Sequence, residues 1–446
     1  MNLLLVYGNI YELYSPPPVG LALLTAPLRE AGHRVRVVEL MKTKDPDRVL
    51  ADALAAGPVD LVGFSLRNLD NMDSRDLRDF VPDYVRWVGM ANAVAPTIIG
   101  GSAVTAAPDA LLRRTAATYG MAGQGDRALP MFLEELDAGR AGGFQTPGLL
   151  WREAGQVRQN PGLYDGYATR GSLDWESFDY KRYRGRAMKC CVITKTGCPH
   201  RCIFCDAHET FGAEYVPRAP EAIVEDLRCD AAERGSHRLD YIFIDACFNE
   251  PPDWAREVLE ALIRYERKLL FVAIVEPTAT VDRELVRLLR RAGCGMVTSL
   301  VGSLDDAVLA RSRRPFTVAD ALRCFELFEE EQVPYMPQLL LGGPGETPDT
   351  VTANHARLKR RRPLIVEASH GLRILPKAGL REVALGEGVI AADDDLLTPR
   401  FYLSEPLRGR EAWLDQQTKR LGRFRLSSLP QWWRYIGAER ALAKQV

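Results

Sequence analysis

Three cysteines within one short segment are the residues of this sequence whose type and spacing suit metal chemistry. Cys198, Cys202 and Cys205 follow a C-x3-C-x2-C pattern, so their thiolates can converge on one metal centre from a single loop. Thiolates favour zinc or iron–sulfur sites. A structural zinc wants a fourth ligand and usually a second cysteine pair, which the sequence lacks. His200 and His208 are close by, but His200 lies between two of the cysteines, where its reach to the same metal is poor. Three ligands on a four-iron cluster leave one iron open to a small molecule, like the open position of a catalytic zinc.

Composition and charge are those of an ordinary globular protein with room for two or three domains. The chain has 446 residues, of which 46% are hydrophobic and 26% charged, and a formal net charge of −1. This balance gives no bulk attraction to nucleic acid or acidic lipid. No apolar stretch reaches the ~20 residues that span a bilayer, and the first residues lack the basic region and cleavage site of a signal peptide. We therefore expect a cytoplasmic protein with no membrane and no nucleic-acid partner.

The remaining cysteines have no comparable pattern. A total of nine cysteines, an odd number, argues against a disulfide framework in a long cytosolic chain. The other six fall in strand or helix patterns and are interpreted as small core residues, namely Cys190, Cys191, Cys229, Cys247, Cys294 and Cys324. The sequence therefore predicts one cluster per chain.

Residues 1–140 alternate short apolar runs with amphipathic patterns, which predicts a doubly wound parallel α/β sheet. The predicted strands are 3–6, 35–38, 61–64, 97–99 and 119–122, and the predicted helices are 20–30, 46–55, 108–117 and 127–138. Ligands of such sheets bind beyond the carboxyl ends of the strands. Residues 141–187 have weak periodicity, so we predict a linker there, with some ordered pieces, that covers an active site.

From residue 188 the alternation resumes for six strand–helix units, which predicts an incomplete barrel of the TIM type. The predicted strands are 191–195, 241–245, 270–275, 296–300, 337–341 and 365–374, and the predicted helices are 219–234, 253–267, 282–292, 305–312, 318–331 and 348–359. We assign residues 188–375 to this barrel and residues 376–446 to a small, mainly helical C-terminal region.

The cysteine spacing just after the first barrel strand resembles that of the radical S-adenosylmethionine (radical SAM) superfamily. The resemblance implies a 4Fe–4S cluster whose open iron binds the amino and carboxyl groups of S-adenosylmethionine. An electron, supplied by an external donor of the flavodoxin or ferredoxin type, then cleaves the sulfonium and yields a 5′-deoxyadenosyl radical. Phe204, just before Cys205, matches the family residue that packs near the adenine.

Two further segments agree with this resemblance. The segment after the fifth strand resembles the family's G-x-P-G-E-T turn near the cofactor, and it consists of Gly342, Gly343, Pro344, Gly345, Glu346 and Thr347. By itself it is a turn signal, in which glycine supplies unusual dihedral angles and Thr347 caps a helix. Asp245, at the end of the second strand, stands where family groups meet the methionyl amine; an ordinary strand-end acid is the alternative.

Glu276 is the other candidate catalytic residue beside Asp245. It ends the third strand, and a carboxylate at the carboxyl-terminal mouth of a barrel strand faces the active site. We expect it to contact cofactor or substrate, or to serve as a general acid or base, with helix capping as the alternative. Many relatives carry a G-x-E-S segment in the fourth strand, whereas Gly302 is followed here directly by Ser303. The missing carboxylate gives Glu276 more weight.

Residues 1–140 resemble the Rossmann-like cobalamin-binding domain that is joined to one large radical SAM class. The matching small and polar residues follow the predicted strands, and they are Ser65, Arg67, Asn68, Gly100, Gly101, Gly123 and Gly125. Small residues at strand ends let a large planar macrocycle approach the backbone. No D-x-H-x-x-G motif supplies a cobalt ligand, and we expect Arg67 to lie under the macrocycle, where a guanidinium cannot ligate cobalt. A generic Rossmann-like domain that has lost its ligand is the alternative.

The resemblance extends over residues 371–404, which match the barrel-closing segment of the same class, and it implies one of two reactions. The first is cobalamin-dependent methylation of carbon. The second is dehydration, deoxygenation, ring closure or rearrangement of a sugar-like substrate without methyl transfer. A redox sensor that only holds a cluster leaves the 342–347 turn and the first domain unexplained.

The substrate is expected to be a small polar metabolite, such as a natural-product intermediate. This expectation rests on polar candidates at the barrel mouth, which are Asp245, Asn249, Glu276 and Gln338, with Tyr335 nearby. Three aromatic residues of the linker are predicted to close over the substrate, namely Trp175, Tyr180 and Tyr183.

Overall fold

The structure is a computed structural model that describes residues 1–11, 17–41, 43–166, 174, 177–178, 191–234, 239–265 and 269–421. Within these ranges the chain forms two large β-sheets flanked by helices, together with two short two-stranded sheets. The predicted fold class, a Rossmann-like domain followed by a partial barrel, is confirmed. None of the helices in the described ranges is both long enough and apolar enough to cross a membrane.

The first sheet is the doubly wound sheet that the sequence predicted. Its strands are β1 (Asn2–Tyr7), β2 (Arg34–Glu39), β3 (Leu61–Ser65), β4 (Thr97–Gly100), β5 (Tyr119–Met121), β6 (Leu149–Glu153) and β7 (Gln156–Gln159). They are ordered β2-β1-β3-β4-β5-β6-β7, and β1 to β5 are parallel. Because the strand order reverses between β1 and β3, a ligand crevice opens beyond the carboxyl ends of these two strands.

Helices cover both faces of this sheet. They are α1 (Val19–Glu30), α2 (Pro46–Ala55), α3 (Val81–Asn92), α4 (Ser102–Ala106), α5 (Pro108–Thr115) and α6 (Gly125–Asp137). Side chains alternate along a strand, so Leu4 and Val6 join the core under α2, α3 and α5, whereas Leu3 and Leu5 join the core under α1 and α6. The sequence did not predict α3, which contains Gly89, or the short helix α4.

An antiparallel hairpin extends the first sheet beyond the boundary predicted at residue 140. β6 pairs with β5 and, through a turn at Ala154 and Gly155, with β7. The sequence analysis placed these residues in the 141–187 linker. Leu150 and Trp151 of β6 are buried, but β7 is mostly polar and exposed, so the hairpin lacks the alternation that marks a strand pair.

The second sheet is the predicted partial (β/α)6 barrel. Its six parallel strands lie in sequential order, and they are β8 (Cys191–Ile193), β11 (Leu239–Ile244), β12 (Leu269–Ile274), β13 (Cys294–Gly302), β14 (Tyr335–Leu341) and β15 (Glu367–His370). The connecting helices are α8 (Pro220–Arg234), α9 (Pro252–Arg264), α10 (Arg283–Ala292), α11 (Asp306–Arg311), α12 (Val318–Glu330) and α13 (Pro348–Leu358). After β8 the chain forms a short pair, β9 (Lys195–Thr196) with β10 (Val216–Pro217), and the one-turn helix α7 (Ala207–Thr210).

The C-terminal region was predicted to be mainly helical, but it also contains a strand that pairs with a strand at the end of the predicted barrel range. β16 (Leu372–Arg373) pairs with β17 (Phe401–Tyr402), and α14 (Leu380–Gly386) lies between them in the chain. A 3-10 turn and α15 (Glu411–Leu421) follow. Side chains of β16, α14 and β17 pack against Cys202 and Phe204, so this region covers one side of the cysteine loop.

A buried ion pair joins the two domains. Arg373 of β16 donates to Asp70 at 2.6 Å, and the two side chains are 0% and 1% exposed. The rest of the Arg373 guanidinium donates to the carbonyl oxygens of Ile374 and Leu396, and Asp70 also accepts from the Met72 N–H. Because its hydrogen bonds are satisfied, this pair can hold the first domain against the barrel without leaving a bare charge.

We expect Asp70→Asn to destabilise the protein, because Arg373 would stay buried without its counter-charge. Removing one partner of a buried pair costs about 3–5 kcal/mol, and the free energy of unfolding in urea should fall by roughly that amount. The matched control is Asp109→Asn, which breaks an exposed pair with Arg113 and should leave the unfolding curve unchanged. Equal effects of the two substitutions would contradict the role assigned to the buried pair.

Candidate functional site

The cysteine loop begins after β9 and is folded back on itself by close backbone contacts. Gly197 has a φ of +76°, and a Cβ there would lie 1.8 Å from the Glu214 carbonyl oxygen, so the position requires glycine. The Cys198 N–H donates to the Gly212 carbonyl oxygen at 2.9 Å. These contacts hold the loop at the carboxyl end of the barrel strands.

The three thiols of the loop lie close enough to influence one another's charge. Desolvation, together with the charges of Asp206, Cys202 and Cys198, raises the pKa of Cys205 to about 12. Burial also raises the pKa values of Cys198 and Cys202. In the described part of the chain, no three His, Cys, Asp or Glu side chains are arranged to hold one metal ion. Coordination deprotonates such thiols outright, and three soft donors on one loop fit a 4Fe–4S cluster with an open iron.

Arg314, which follows α11, joins the loop to the ends of two barrel strands. One of its nitrogens donates to Cys202 Sγ at 2.9 Å, and another donates to Glu276 Oε1 and to the Leu300 carbonyl oxygen. Its guanidinium carbon also lies 5.6 Å from the centre of the Phe204 ring. The Arg314 and Glu276 side chains are 4% and 6% exposed, so this is a buried ion pair.

Asn249 fixes the backbone that carries Glu276. Its side-chain amide accepts from the Glu276 N–H at 2.9 Å and donates to the Glu276 carbonyl oxygen at 3.0 Å. Burial raises the pKa of the Glu276 carboxyl group, and Arg314 lowers it again. Glu276 therefore lies in a fixed position just after β12, whereas Asn249, a predicted substrate contact, uses its amide on the protein backbone.

Asp245 lies beside a buried lysine. Lys195 Nζ is 3.4 Å from Asp245 Oδ2, both side chains are 0% exposed, and the Thr194 hydroxyl donates to the same oxygen. The ammonium group also lies 4.6 Å from the centre of the Trp254 ring. Among the described residues, Asp245 Oδ1 has no hydrogen-bond partner. A ligand contact by Asp245 stays a prediction, and Oδ1 is the atom that suits it.

The glycine-rich turn after β14 is held from inside by Glu346. This buried carboxylate accepts from the Gly342 N–H, from Asn354 at 3.3 Å and from Ser303 at 3.4 Å. Burial raises the pKa of Glu346 to about 7. Gly342 and Gly345 have positive φ angles of +99° and +83°, which accounts for glycine at both positions. Glu346 thus shapes the turn, and the cofactor-binding role of residues 342–346 stays a prediction.

The charge of Arg67 acts on residues of both sheets. Burial raises the pKa of Tyr7 to about 12 even though the charge of Arg67 opposes this shift. The same charge acts on Cys191, whose pKa burial also raises to about 12. Since Tyr7 ends β1 and Cys191 begins β8, Arg67 is within electrostatic reach of both sheets. Its position under a macrocycle stays a prediction.

The glycines predicted to approach a macrocycle contact protein atoms here. A Cβ at Gly101 would lie 2.5 Å from the carbonyl oxygen of Leu66, and one at Gly123 would lie 3.1 Å from that of Leu163. Tyr164, in the predicted linker, lies against Gly123 as well as the cysteine loop at Gly212. Three other predicted residues of this edge lie at the ends of elements: Ser65 ends β3, Gly100 ends β4 and Gly125 begins α6. Asn68 lies in the loop after β3, where its carbonyl oxygen accepts a hydrogen bond from the Tyr84 hydroxyl.

Several predicted residues lie elsewhere. Tyr335 begins β14 and packs on the helix side of the sheet, where its hydroxyl donates to Glu329 at 2.6 Å, so the expectation that it lies near the substrate is wrong. Trp175, Tyr180 and Tyr183 lie outside the described residues, as does Cys190. Four of the other predicted core cysteines are buried, namely Cys191, Cys247, Cys294 and Cys324. The fifth, Cys229 on α8, is partly exposed.

Two charged residues of the site, Arg314 and Lys195, were not predicted from the sequence. Lys195 follows the apolar run of β8, and a charge at that place was the available signal. Arg314 stands in a basic segment after α11 that resembles a solvated surface. Its contacts are with residues distant in the sequence, which no local pattern indicates.

Comparison with known proteins agrees with this geometry. The radical SAM superfamily model matches residues 192–356, and the B12 binding domain model matches residues 13–133. Tryptophan 2-C-methyltransferase of Streptomyces laurentii is 27% identical over 441 residues, covering 83% of this chain and 73% of that protein. Hopanoid C-3 methylase of Methylococcus capsulatus is 26% identical over 318 residues, covering 69% of this chain and 58% of that protein.

A solved structure of a two-domain enzyme has the same fold. It is that of the radical S-adenosylmethionine methyltransferase TsrM from Kitasatospora setae, with cobalamin and a 4Fe–4S cluster bound. It matches with a TM-score of 0.84 at 21% identity and covers 100% of this chain and 99% of that one. The shared fold includes both domains and their order along the chain.

We expect Arg314→Gln to lower the free energy of unfolding, because Glu276 would stay buried without a counter-charge. The loss for one partner of a buried pair is about 3–5 kcal/mol. Adding Glu276→Gln removes the uncompensated charge, so the double variant should recover part of this loss in urea unfolding of the apoprotein. Arg287→Gln, at an exposed pair, is the control and should change little. Strictly additive losses in the double variant would show that the two side chains are not coupled.

Proposed function

We propose that this radical SAM enzyme, whose chain joins a B12-binding domain to a radical SAM domain, methylates a carbon atom of a small metabolite. The cofactors of the proposal are one 4Fe–4S cluster, S-adenosylmethionine and cobalamin. Both curated relatives described above are methylating enzymes by name, which supports methyl transfer as the reaction.

One observation carries the proposal: the carboxyl edges of both sheets meet at one place. α4, which follows β4, packs against α7, which follows the cysteine loop. In the loop after β3, the Ser74 hydroxyl donates to the carbonyl oxygen of His370, the last residue of β15, at 2.7 Å. Parallel sheets and barrels bind ligands at these edges. Cofactors held by the two domains would therefore face each other across one shared site.

In this proposal, the residues of the chain bind the cofactors and orient the groups that react. When bound, the cluster and S-adenosylmethionine supply a radical, and cobalamin supplies the methyl group. The three loop cysteines hold the cluster, and Phe204 lies against the adenine. Arg314 binds both Cys202 and the Glu276 carboxylate, so that Glu276 is held in one position beside the substrate, ready to accept or donate a proton.

The proposal also includes a substrate class and a cellular setting. A small substrate is supported by the tryptophan 2-C-methyltransferase relative, which by its name acts on a single amino acid. We place the reaction in natural-product biosynthesis and in the cytoplasm, with an electron donor of the flavodoxin or ferredoxin type. The described cysteines are free thiols, as a reducing compartment requires.

The alternative is a reaction on a sugar-like substrate without methyl transfer, such as dehydration, deoxygenation, ring closure or rearrangement. It would use the same cysteine loop and barrel mouth.

A labelled methyl donor tests the proposal. The chain, reconstituted anaerobically with iron, sulfide and cobalamin, is incubated with reductant, S-adenosylmethionine bearing a deuterated methyl group, and trial substrates that include L-tryptophan. We expect mass spectrometry to find the labelled methyl group in the product. A product without the label would contradict methyl transfer and support the alternative. Cys202→Ala should abolish turnover, whereas the control Cys229→Ala, a cysteine on α8, should retain it.

A further inference from the structure

The partial barrel encloses a lumen that its own side chains do not fill. On β14, Leu339 and Leu341 pack between the sheet and the helices, whereas Leu340 packs with the cysteine loop on the other face. Most of the described inward-facing residues of β11 to β14 are apolar and partly exposed or exposed, whereas Met296 is buried; the exposed set includes Ile242, Ile244, Val272, Ile274, Thr298 and Met336. In a closed TIM barrel these positions are packed, so here the lumen has room for an apolar group.

One polar pair lies in this apolar wall. Gln338 on β14 and Glu367 on β15 are register partners, and the Gln338 amide donates to Glu367 Oε2 at 2.6 Å. Their chain neighbours Leu339 and Ala368 pack against the helices, so both polar side chains point into the lumen. Leu300, the register partner of Gln338 on β13, packs with the cysteine loop. The pair therefore lies just below the mouth of the barrel.

Glu367 differs from the other carboxylates of the site because it is not paired with a basic side chain of the described residues. Burial raises the pKa of its carboxyl group, and the hydrogen bond from Gln338 lowers it. Glu276 and Asp245 each pair with a basic side chain, but no basic side chain within the described ranges pairs with Glu367. A carboxylate that is largely removed from bulk water is costly unless it is paired, so this wall of the lumen suits a positively charged group.

We propose that the substrate is an apolar amine or amino acid whose ammonium group binds Glu367 and Gln338 while its apolar part fills the lumen. The three N–H donors of an ammonium group match the Glu367 carboxylate and the carbonyl oxygen of the Gln338 amide. This inference rests on the proposed function and names its substrate class. It also revises the expectation of a polar metabolite, because the lumen is mainly apolar with one polar pair.

Binding of three probes to the anaerobically reconstituted holoenzyme tests the inference without turnover. Tryptamine and L-tryptophan carry an amino group, and indole-3-propionate has the same ring without one. Isothermal titration calorimetry should show about tenfold tighter binding of L-tryptophan than of indole-3-propionate, since a hydrogen bond to a charged group is gained. Equal binding of probes with and without the amino group, or no binding of any probe, would overturn the inference.

Matched variants identify the residue responsible. Glu367→Gln should weaken both amine probes about tenfold and leave indole-3-propionate unchanged. The Gln338→Leu variant retains the Glu367 carboxyl group, so it should still bind the amine probes more tightly than indole-3-propionate. Glu257→Gln, on the exposed face of α9, makes the same chemical change elsewhere and should bind as the unaltered enzyme does. Unchanged amine binding by a Glu367→Gln variant that loads cluster and cobalamin would also overturn the inference.

The two proposals fail separately. Amine binding that depends on Glu367 supports the inference even where no methyl transfer follows, and that result contradicts the proposed function alone. Methyl transfer to a substrate without an amino group contradicts the inference alone.

Discussion

The buried guanidinium of Arg314 is the interaction on which the barrel mouth depends. It binds the cysteine loop through Cys202, the segment after β12 through Glu276, and β13 through the Leu300 carbonyl oxygen. A buried charge is tolerated only where such partners satisfy it, so the three parts cannot move independently. The candidate cluster ligand and the candidate proton-transfer group are therefore fixed relative to each other by the protein itself, which is how preorganised sites are built.

A second buried ion pair positions the other half of the site. Asp70 binds Arg373 of the C-terminal region, and in the same loop the Ser74 hydroxyl donates to the His370 carbonyl oxygen at 2.7 Å. Asp70 is close in sequence to Arg67, the residue predicted to face cobalt. The loop after β3 thus docks the first domain onto the barrel and also carries Arg67, whose charge lowers the pKa of Tyr7 in the first sheet and of Cys191 in the second. A shift of this loop would move both together.

The sequence was informative wherever the signal is local. The cysteine spacing lies within one loop, and α2 was predicted at its observed bounds because Asp45 caps it and Pro46 begins it. The six barrel strands follow from apolar runs between helical patterns. Contacts between distant segments gave no such signal: Arg314 is 112 residues from Cys202, and Gln338 is 29 residues from Glu367. Only the folded barrel brings these side chains together. In the sequence, a polar residue that faces the barrel lumen has the same alternating pattern as one that faces solvent.

The central claim is that two domains close around one site shared by the cluster and cobalamin. Electron paramagnetic resonance of the reconstituted enzyme, with the cluster reduced and cobalamin as Co(II), measures this most directly, because unpaired electrons that lie close together broaden or split each other's signals. We predict a spectrum that differs from the sum of the spectra recorded with each centre present alone. A spectrum equal to that sum would show that the two centres are far apart and would contradict the shared site.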